Sequence, residues 1–354
     1  MISLFKSKTW IKDLDEEISS TPELAQLRGK SVLFTGGTGL ICSAAVDLLI
    51  RYNETNGSEI KIILAGRSIE RMKKRFQPFS DKSYMDYVLF DTANTTSNPE
   101  IIADYIIHGA SNASPNKIVK EPVETIMSNL FGLKILLDQA KKHNSKRVLF
   151  VSSSEVYGNK DNDLPFREDE YGFVDFLNSR NSYSVAKRAA ETLCVSYHDE
   201  YGVDNVIVRP GHIYGPTAVE SDNRVSSAWA YAVARGDDIV MKSDGAQVRS
   251  YCYCLDCASA ILKVLLVGEG GHAYNVSNPN SVISIKEMAK LLANSAGVQL
   301  KIELPTRAEK KAFNPMKNSS LDASLLIGLG WNSLFDAEKG FHHTVSVIRE
   351  SRGL

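Results

Sequence analysis
The run SVLFTGGTGLICSAAVDLLIRY, which begins at Ser31, constrains the fold more than any other stretch of the chain. A short β-branched and apolar segment runs into three closely spaced glycines, and these open into an apolar pattern at helical spacing. The same alternation then recurs as strand IKIILAG, a helix, strand YVLFD and strand YIIHGAS. Short β-runs alternating with amphipathic helices imply an α/β fold with a parallel, doubly wound sheet.

The pattern continues with a helix over 123–143, strand RVLFVSSSEVYG, a polar loop holding Pro165, a helix over 183–201 and strand NVIVRP. After Gly215-Pro216 the rhythm loosens into a helix over 226–235, strand QVRSYCYC, a helix over 258–267 and α+β pieces that end near LGWNSLFD. A dinucleotide-binding domain is therefore expected over 30–212 and 248–272, with a smaller substrate lobe from 213–247 and 273–354. No Gly/Ser-rich linker separates them, so a rigid shared interface is expected. Residues 1–29 carry Trp10, Ile11, Leu14 and Ile18 at helical spacing, with Ser20 and Thr21 as caps, and read as an accessory helix packed on the main body.

Composition narrows the partners. Lys and Arg number 41 against 42 Asp and Glu, a net charge of −1, and no long basic run occurs. Neither a nucleic-acid partner nor a polybasic membrane anchor is expected. No apolar run approaches the roughly 18 to 20 residues of a membrane helix, and residues 1–8 lead into a charged segment. A cytoplasmic protein is expected. Five cysteines fit a reducing compartment, and Cys252, Cys254 and Cys257 lack the second pair or histidine that a zinc site needs, so no metal is expected.

Gly36, Gly37 and Gly39 stand where a tight turn lets a pyrophosphate approach the backbone at a helix N-terminus, with Leu40 and Ile41 the first helical residues. Cys42 occupies the position usual for a third glycine, and its bulk is expected to push helix and strand slightly apart. The next strand ends in Ala65, Gly66 and Arg67 where an acid would bind ribose hydroxyls. Arg67 pairs with a 2′-phosphate or is a solvated surface charge, so NAD and NADP both stay open. Asp91, after the following strand, caps the adenine edge or simply ends a turn. Tyr183 and Lys187 form Tyr-x-x-x-Lys, one helical turn apart on one face, where an ammonium stabilises phenolate and makes a phenol a usable base.

In this order the glycine turn, IIHGAS, MSNLFGLKILL with Asn129, SSSEVYG, Tyr183 and Lys187, RPGHIYGP, VRSYCY with Asp256, and AYNVSN resemble the extended short-chain dehydrogenase/reductase family. Within it they resemble the nucleotide-sugar epimerase/dehydratase branch, nearest in motif to UDP-glucuronate decarboxylases, over about 30–331. The resemblance implies a Rossmann-like fold, a bound NAD or NADP, a nucleotide-diphosphate sugar and a homodimer built on the 123–143 and 183–201 helices. It further implies that Tyr183, aided by Lys187 and a hydroxyl at Ser153 or Ser154, oxidises the sugar at C4. Arg249 and Arg224 become diphosphate contacts, or remain ordinary salt-bridge arginines.

The fate of the 4-keto sugar is less constrained. A 4-epimerase leaves Glu155 without work, and a 4,6-dehydratase resembles Asp-Glu after the hydroxyl residue, whereas Ser154 stands there. Ser153-Ser154-Glu155, Ala113-Ser114-Pro115 and DNRVSS resemble the decarboxylases; Ile118 replaces their tyrosine, and His212 replaces the Asn of the wider family. An NADP-linked reductase using the same Tyr183 and Lys187 is the alternative from another class. A binding protein on a decayed scaffold would follow from Cys42 and the missing acid, against which Tyr183, Lys187 and Ser153 argue.

Overall fold
The computed structural model describes residues 3–92, 99–111, 113, 115–303 and 317–354. Its strands are β1 (Ser31–Thr35), β2 (Lys61–Gly66), β3 (Met85–Leu89), β4 (Tyr105–His108), β5 (Arg147–Val151), β6 (Asn205–Pro210), β7 (His212–Tyr214), β8 (Ile239–Met241), β9 (Val248–Tyr253), β10 (Ala273–Val276), β11 (Val282–Ser284) and β12 (Leu300–Ile302). The helices are α1 (Lys8–Ser20), α2 (Leu40–Asn56), α3 (Ile69–Arg75), α4 (Pro115–Lys120), α5 (Pro122–His143), α6 (Ser182–Tyr201), α7 (Val225–Ala234), α8 (Cys254–Val267), α9 (Ile285–Ala296), α10 (Ser324–Gly328) and α11 (Ala337–Arg352).

Seven parallel strands form one sheet in the order β10-β6-β5-β4-β1-β2-β3, the doubly wound arrangement read from the sequence. Both faces of such a sheet are covered, so its strands are apolar throughout and successive side chains serve opposite layers. In β1, Val32 and Phe34 join the core under α2 and α8, while Leu33 joins the core under α5 and α6. The second layer includes Leu133, Leu136 and Leu137 from α5 and Ala190 and Cys194 from α6, packed on Ile106 and Phe150. Chain order reverses between β1 and β4, where crossovers leave to opposite faces and open a crevice at the carboxyl ends of the strands.

The smaller region has a three-stranded sheet, β11-β9-β7, and the pair β12-β8, with α7, α9 and α11 packed around them. Ala273–Val276, assigned by sequence to the substrate lobe, is the edge strand of the large sheet, beside β6. Val248–Tyr253, assigned to the dinucleotide domain, lies in the three-stranded sheet. Strand partners are chosen by contacts distant in sequence, which local periodicity does not carry. Helix α8 starts at Cys254, earlier than expected, so Cys254 and Cys257 are helical while Cys252 is in β9.

Helix α1 is built into the body more deeply than an accessory helix would be. Ser7 caps it and accepts from Trp10 N at 3.0 Å, while Ser20 is its last residue and Thr21 follows as its C-cap. Trp10 and Leu14 are fully buried, and so are the acids Asp13 and Glu17. Asp13 accepts from Tyr253 Oη at 3.1 Å and lies 2.9 Å from His343 Nδ1, tying the N-terminal helix to β9 and α11. Glu17 faces Asp256 on α8, and burial raises both carboxyls above their ordinary range. No helix among the described residues is long and apolar enough to cross a membrane.

Candidate active site
At the turn from β1 to α2, Gly36 adopts φ 69°, and a Cβ there would lie 2.7 Å from the Gly109 carbonyl and 2.8 Å from Ala110 N. Only glycine fits so close an approach to the end of β4. Gly39 caps α2 without a side-chain bond, leaving the first amides of a 17-residue helix, those of Leu40 and Ile41 among them, directed at the crevice. This cradle fits a pyrophosphate. Cys42 is buried, and its Sγ fills the space over Gly109, just past β4, that a side chain there would take.

Arg67, just past β2, is exposed and has no hydrogen-bond or ion-pair partner among the described residues. Asp91 is half-buried beyond β3 and is engaged by a neighbour. Ser114, part of the segment singled out in sequence, lies outside the described residues. Ile118 is 1 % exposed, so it is a packing residue of α4.

Across the crevice, β5 ends at Val151 and the chain turns through a 3-10 turn, Ser154–Tyr157. Ser153 caps this turn, its Oγ accepting from Glu155 N at 3.2 Å. Helix α6 brings Tyr183 and Lys187 alongside, both buried. Lys187 Nζ donates to Val151 O at 2.8 Å and lies 5.7 Å from the Tyr183 ring centroid. Burial pulls the Lys187 ammonium down to about 7, so it is only partly charged at neutral pH. Its charge also reaches His108, which burial lowers to about 3; His108 Nδ1 sits 2.6 Å from Thr35 Oγ1.

Burial raises the Tyr183 phenol, and the Glu155 carboxylate raises it further. The hydroxyls of Ser153 and Ser111 and the charge of Arg224 act in the opposite direction. Ser154 is half-buried on the turn. Glu155 opens to solvent along the crevice but is hemmed in by protein on its other sides. That enclosure raises its carboxyl, against the pull of Arg180 and of Ser184, whose Oγ lies 3.4 Å away. Ser111 and Arg180 were not singled out in sequence; the place of Ser111 at the end of the β4 segment IIHGAS was the available signal.

The smaller region closes the far side. Arg249 on β9 is 4 % exposed and donates to Val248 O at 2.8 Å. Arg224, paired with Asp222, precedes α7. Both guanidinium charges act on His212, which opens β7, and with burial they hold it near 3 and hence neutral. His212 Nε2 is 3.0 Å from Ser319 Oγ. Arg224 links the two sides, since its charge reaches the Tyr183 phenol, on which Ser153 and Glu155 also act, as well as His212. The three clustered cysteines are buried and unpaired, and no group of acid, His or Cys side chains among the described residues is arranged to hold a metal.

A glycine cradle at a sheet reversal with a buried Tyr/Lys pair across from it defines a dinucleotide-dependent enzyme acting on a carbinol or carbonyl. Residues 32–277 match the NAD dependent epimerase/dehydratase family, and the chain belongs to that family of nucleotide-sugar enzymes. Among curated relatives, UDP-glucuronic acid decarboxylase 5 of Arabidopsis thaliana is 29 % identical over 314 residues, covering 87 % of this chain and 86 % of its own. The UDP-glucose 4-epimerase of Thermotoga maritima, solved with UDP-glucose, superposes with a TM-score of 0.74 at 23 % identity, over 91 % of this chain and 99 % of that one. The dTDP-glucose 4,6-dehydratase of Bacillus anthracis, solved with NAD, gives 0.73 at 19 % identity over 91 % and 97 %.

Proposed function
We propose that this enzyme oxidises a UDP-uronate at C4 and releases its carboxylate as carbon dioxide. The observation that carries the reading is Glu155 placed against Tyr183 with hydroxyls, not an acid, at Ser153 and Ser154. The likeness to UDP-glucuronic acid decarboxylases supports it. The glycine turn and the amides of Leu40 and Ile41 would hold the dinucleotide pyrophosphate. When bound, the cofactor supplies the acceptor, and later the donor, of the C4 hydride.

Tyr183 takes the C4 hydroxyl proton, steadied by the Ser153 hydroxyl. Oxidation at C4 makes the substrate a β-keto acid, so the C5–C6 bond breaks with its electron pair passing into the enolate of the C4 ketone. Glu155, whose raised carboxyl holds a proton closer to neutrality, delivers it to C5. Tyr183 then returns its proton to the C4 oxygen as the hydride goes back. Arg249 and Arg224 would take the diphosphate, with neutral His212 between their fields.

A second reading rests on Arg67. A guanidinium just past β2 with no partner among the described residues, where an acid would select NAD, suits the 2′-phosphate of NADP and an exchanging reductase. Val123, Met127 and Phe131 on α5 and Val195 on α6 leave apolar surface for a second copy of the chain, so a homodimer belongs to the proposal; a monomer mass in light scattering overturns that part. Five buried, unpaired cysteines support a reducing, cytoplasmic setting.

The deciding experiment is product mass spectrometry after incubation with UDP-glucuronate, UDP-glucose and dTDP-glucose, each with NAD or NADP. Loss of carbon dioxide from the uronate is expected. Loss of water from either glucose nucleotide would replace decarboxylation by dehydration, and no mass change with any of the three would replace it by the reductase reading.

A further inference from the structure
Tyr183 sits on α6, whereas the groups that tune it, Ser153 and Glu155, sit on the turn after β5. Their spacing therefore depends on how the turn is held against the helix. Arg188 follows Lys187 and, about 100° further round the helix, points away from the crevice toward the back of that turn. Its Nε donates to Val156 O at 2.5 Å, and its Nη2 donates to Tyr157 O at 3.1 Å and to Gly172 O at 2.9 Å. Val156 and Tyr157 are the last residues of the 3-10 turn, whose carbonyls have no partner within it. Gly172 belongs to the strap that pairs back on the turn, with Gly172 N donating to Tyr157 O at 2.7 Å and Phe173 bridging Asn159.

The neighbouring network holds a different part of the turn. Arg209 on β6 pairs with Glu191 at 2.7 Å and donates to Tyr157 Oη at 3.0 Å, and that hydroxyl donates to Asn275 Oδ1 at 2.6 Å. These contacts fix the Tyr157 ring, while the backbone of the turn is met from α6 by the guanidinium of Arg188. A planar fork with donors on several edges can serve three carbonyls on two segments; an ammonium on a flexible stem cannot do so with the same geometry.

We propose that Arg188 is a positioning residue for proton transfer, setting the distance from Ser153 and Glu155 to Tyr183 by clamping the turn to α6. The proposal rests on the reading of Tyr183 as the group that exchanges the proton. Loosening the turn draws away both the Glu155 carboxylate, which raises the phenol, and the Ser153 hydroxyl, which lowers it, and Glu155 is the larger influence of the two. The phenol then ionises at lower pH.

The test needs no knowledge of the sugar. Phenolate absorbance is titrated in the NAD-loaded full-length protein, with the Tyr183→Phe variant subtracted to isolate Tyr183, and repeated in Arg188→Lys and Arg188→Ala backgrounds. Arg188→Lys keeps the positive charge, so a shift there reports geometry and not lost electrostatics. A downward shift of about one unit is expected in Arg188→Lys, a tenfold gain of phenolate at fixed pH, and a shift in the same direction in Arg188→Ala. If the alanine variant does not fold, the lysine variant decides. A folded Arg188→Lys protein with an unmoved Tyr183 titration overturns the clamp. Absence of any ionisation assignable to Tyr183 in the wild type overturns the proton-transfer reading itself, and the clamp with it.

Discussion

Replacing Gly36 with alanine tests the cofactor cradle in two separable ways. The residue sits at φ 69°, where an L side chain costs about 1–2 kcal/mol. The added Cβ would meet Gly109 C and O at 2.7 Å and Ala110 N at 2.8 Å, all backbone that cannot swing aside as a side chain can. Overpacking of this kind costs about 1–3 kcal/mol more, for a total of about 2–5 kcal/mol. With an unfolding entropy of about 2.1 cal/mol/K per residue, a chain this long should lose about 3–7 °C in Tm. Relief comes by moving the turn, which displaces the α2 amides, so NAD affinity should also fall by about tenfold or more, roughly 1.4 kcal/mol. Gly57 is the control: it has φ 53° but open space around its Cβ, so Gly57→Ala should cost only the backbone share, about 1–2 kcal/mol, with affinity unchanged. Thermal unfolding by circular dichroism and calorimetric titration with NAD give both readouts. If Gly36→Ala proves as mild as Gly57→Ala in both, the close approach of β1 and β4 at the cofactor site is refuted.

Tyr183→Phe should lower turnover about 10²- to 10⁴-fold while leaving Tm nearly unchanged; retained activity would remove Tyr183 from the chemistry. Arg67→Asp should weaken NADP more than NAD in calorimetry, and equal losses would return Arg67 to a plain surface charge. The Glu17 and Asp256 carboxyls are raised by burial, so the folded protein keeps protons that the unfolded chain releases above its ordinary carboxyl range near 4. Stability therefore falls as pH rises through that interval. Glu17→Gln, which removes one of the two acids and offers Asp256 an amide donor, should gain Tm relative to wild type between about pH 5 and pH 8. A pH-independent difference would show that the two acids do not share the burden.

The amino-acid sequence by itself determined the parallel α/β plan, the glycine turn at Gly36 and the Tyr183/Lys187 pair. Each of these is written in neighbouring residues: a strand's apolar run, a turn that only glycine makes, two side chains one helical turn apart. Tertiary structure alone decided which distant residues meet. It joined Ala273–Val276 to β6 at the edge of the large sheet, and set the Cys42 Sγ against Gly109, where a side chain would collide with it. It also brought Ser111, Arg224 and Ser153 to bear on one phenol and drew Asp13 and Glu17 of α1 into the interior. Pairings of this sort join residues tens to hundreds of positions apart. Their energy comes from desolvation and close packing at the point of contact, a property of the assembled surfaces that no local periodicity encodes.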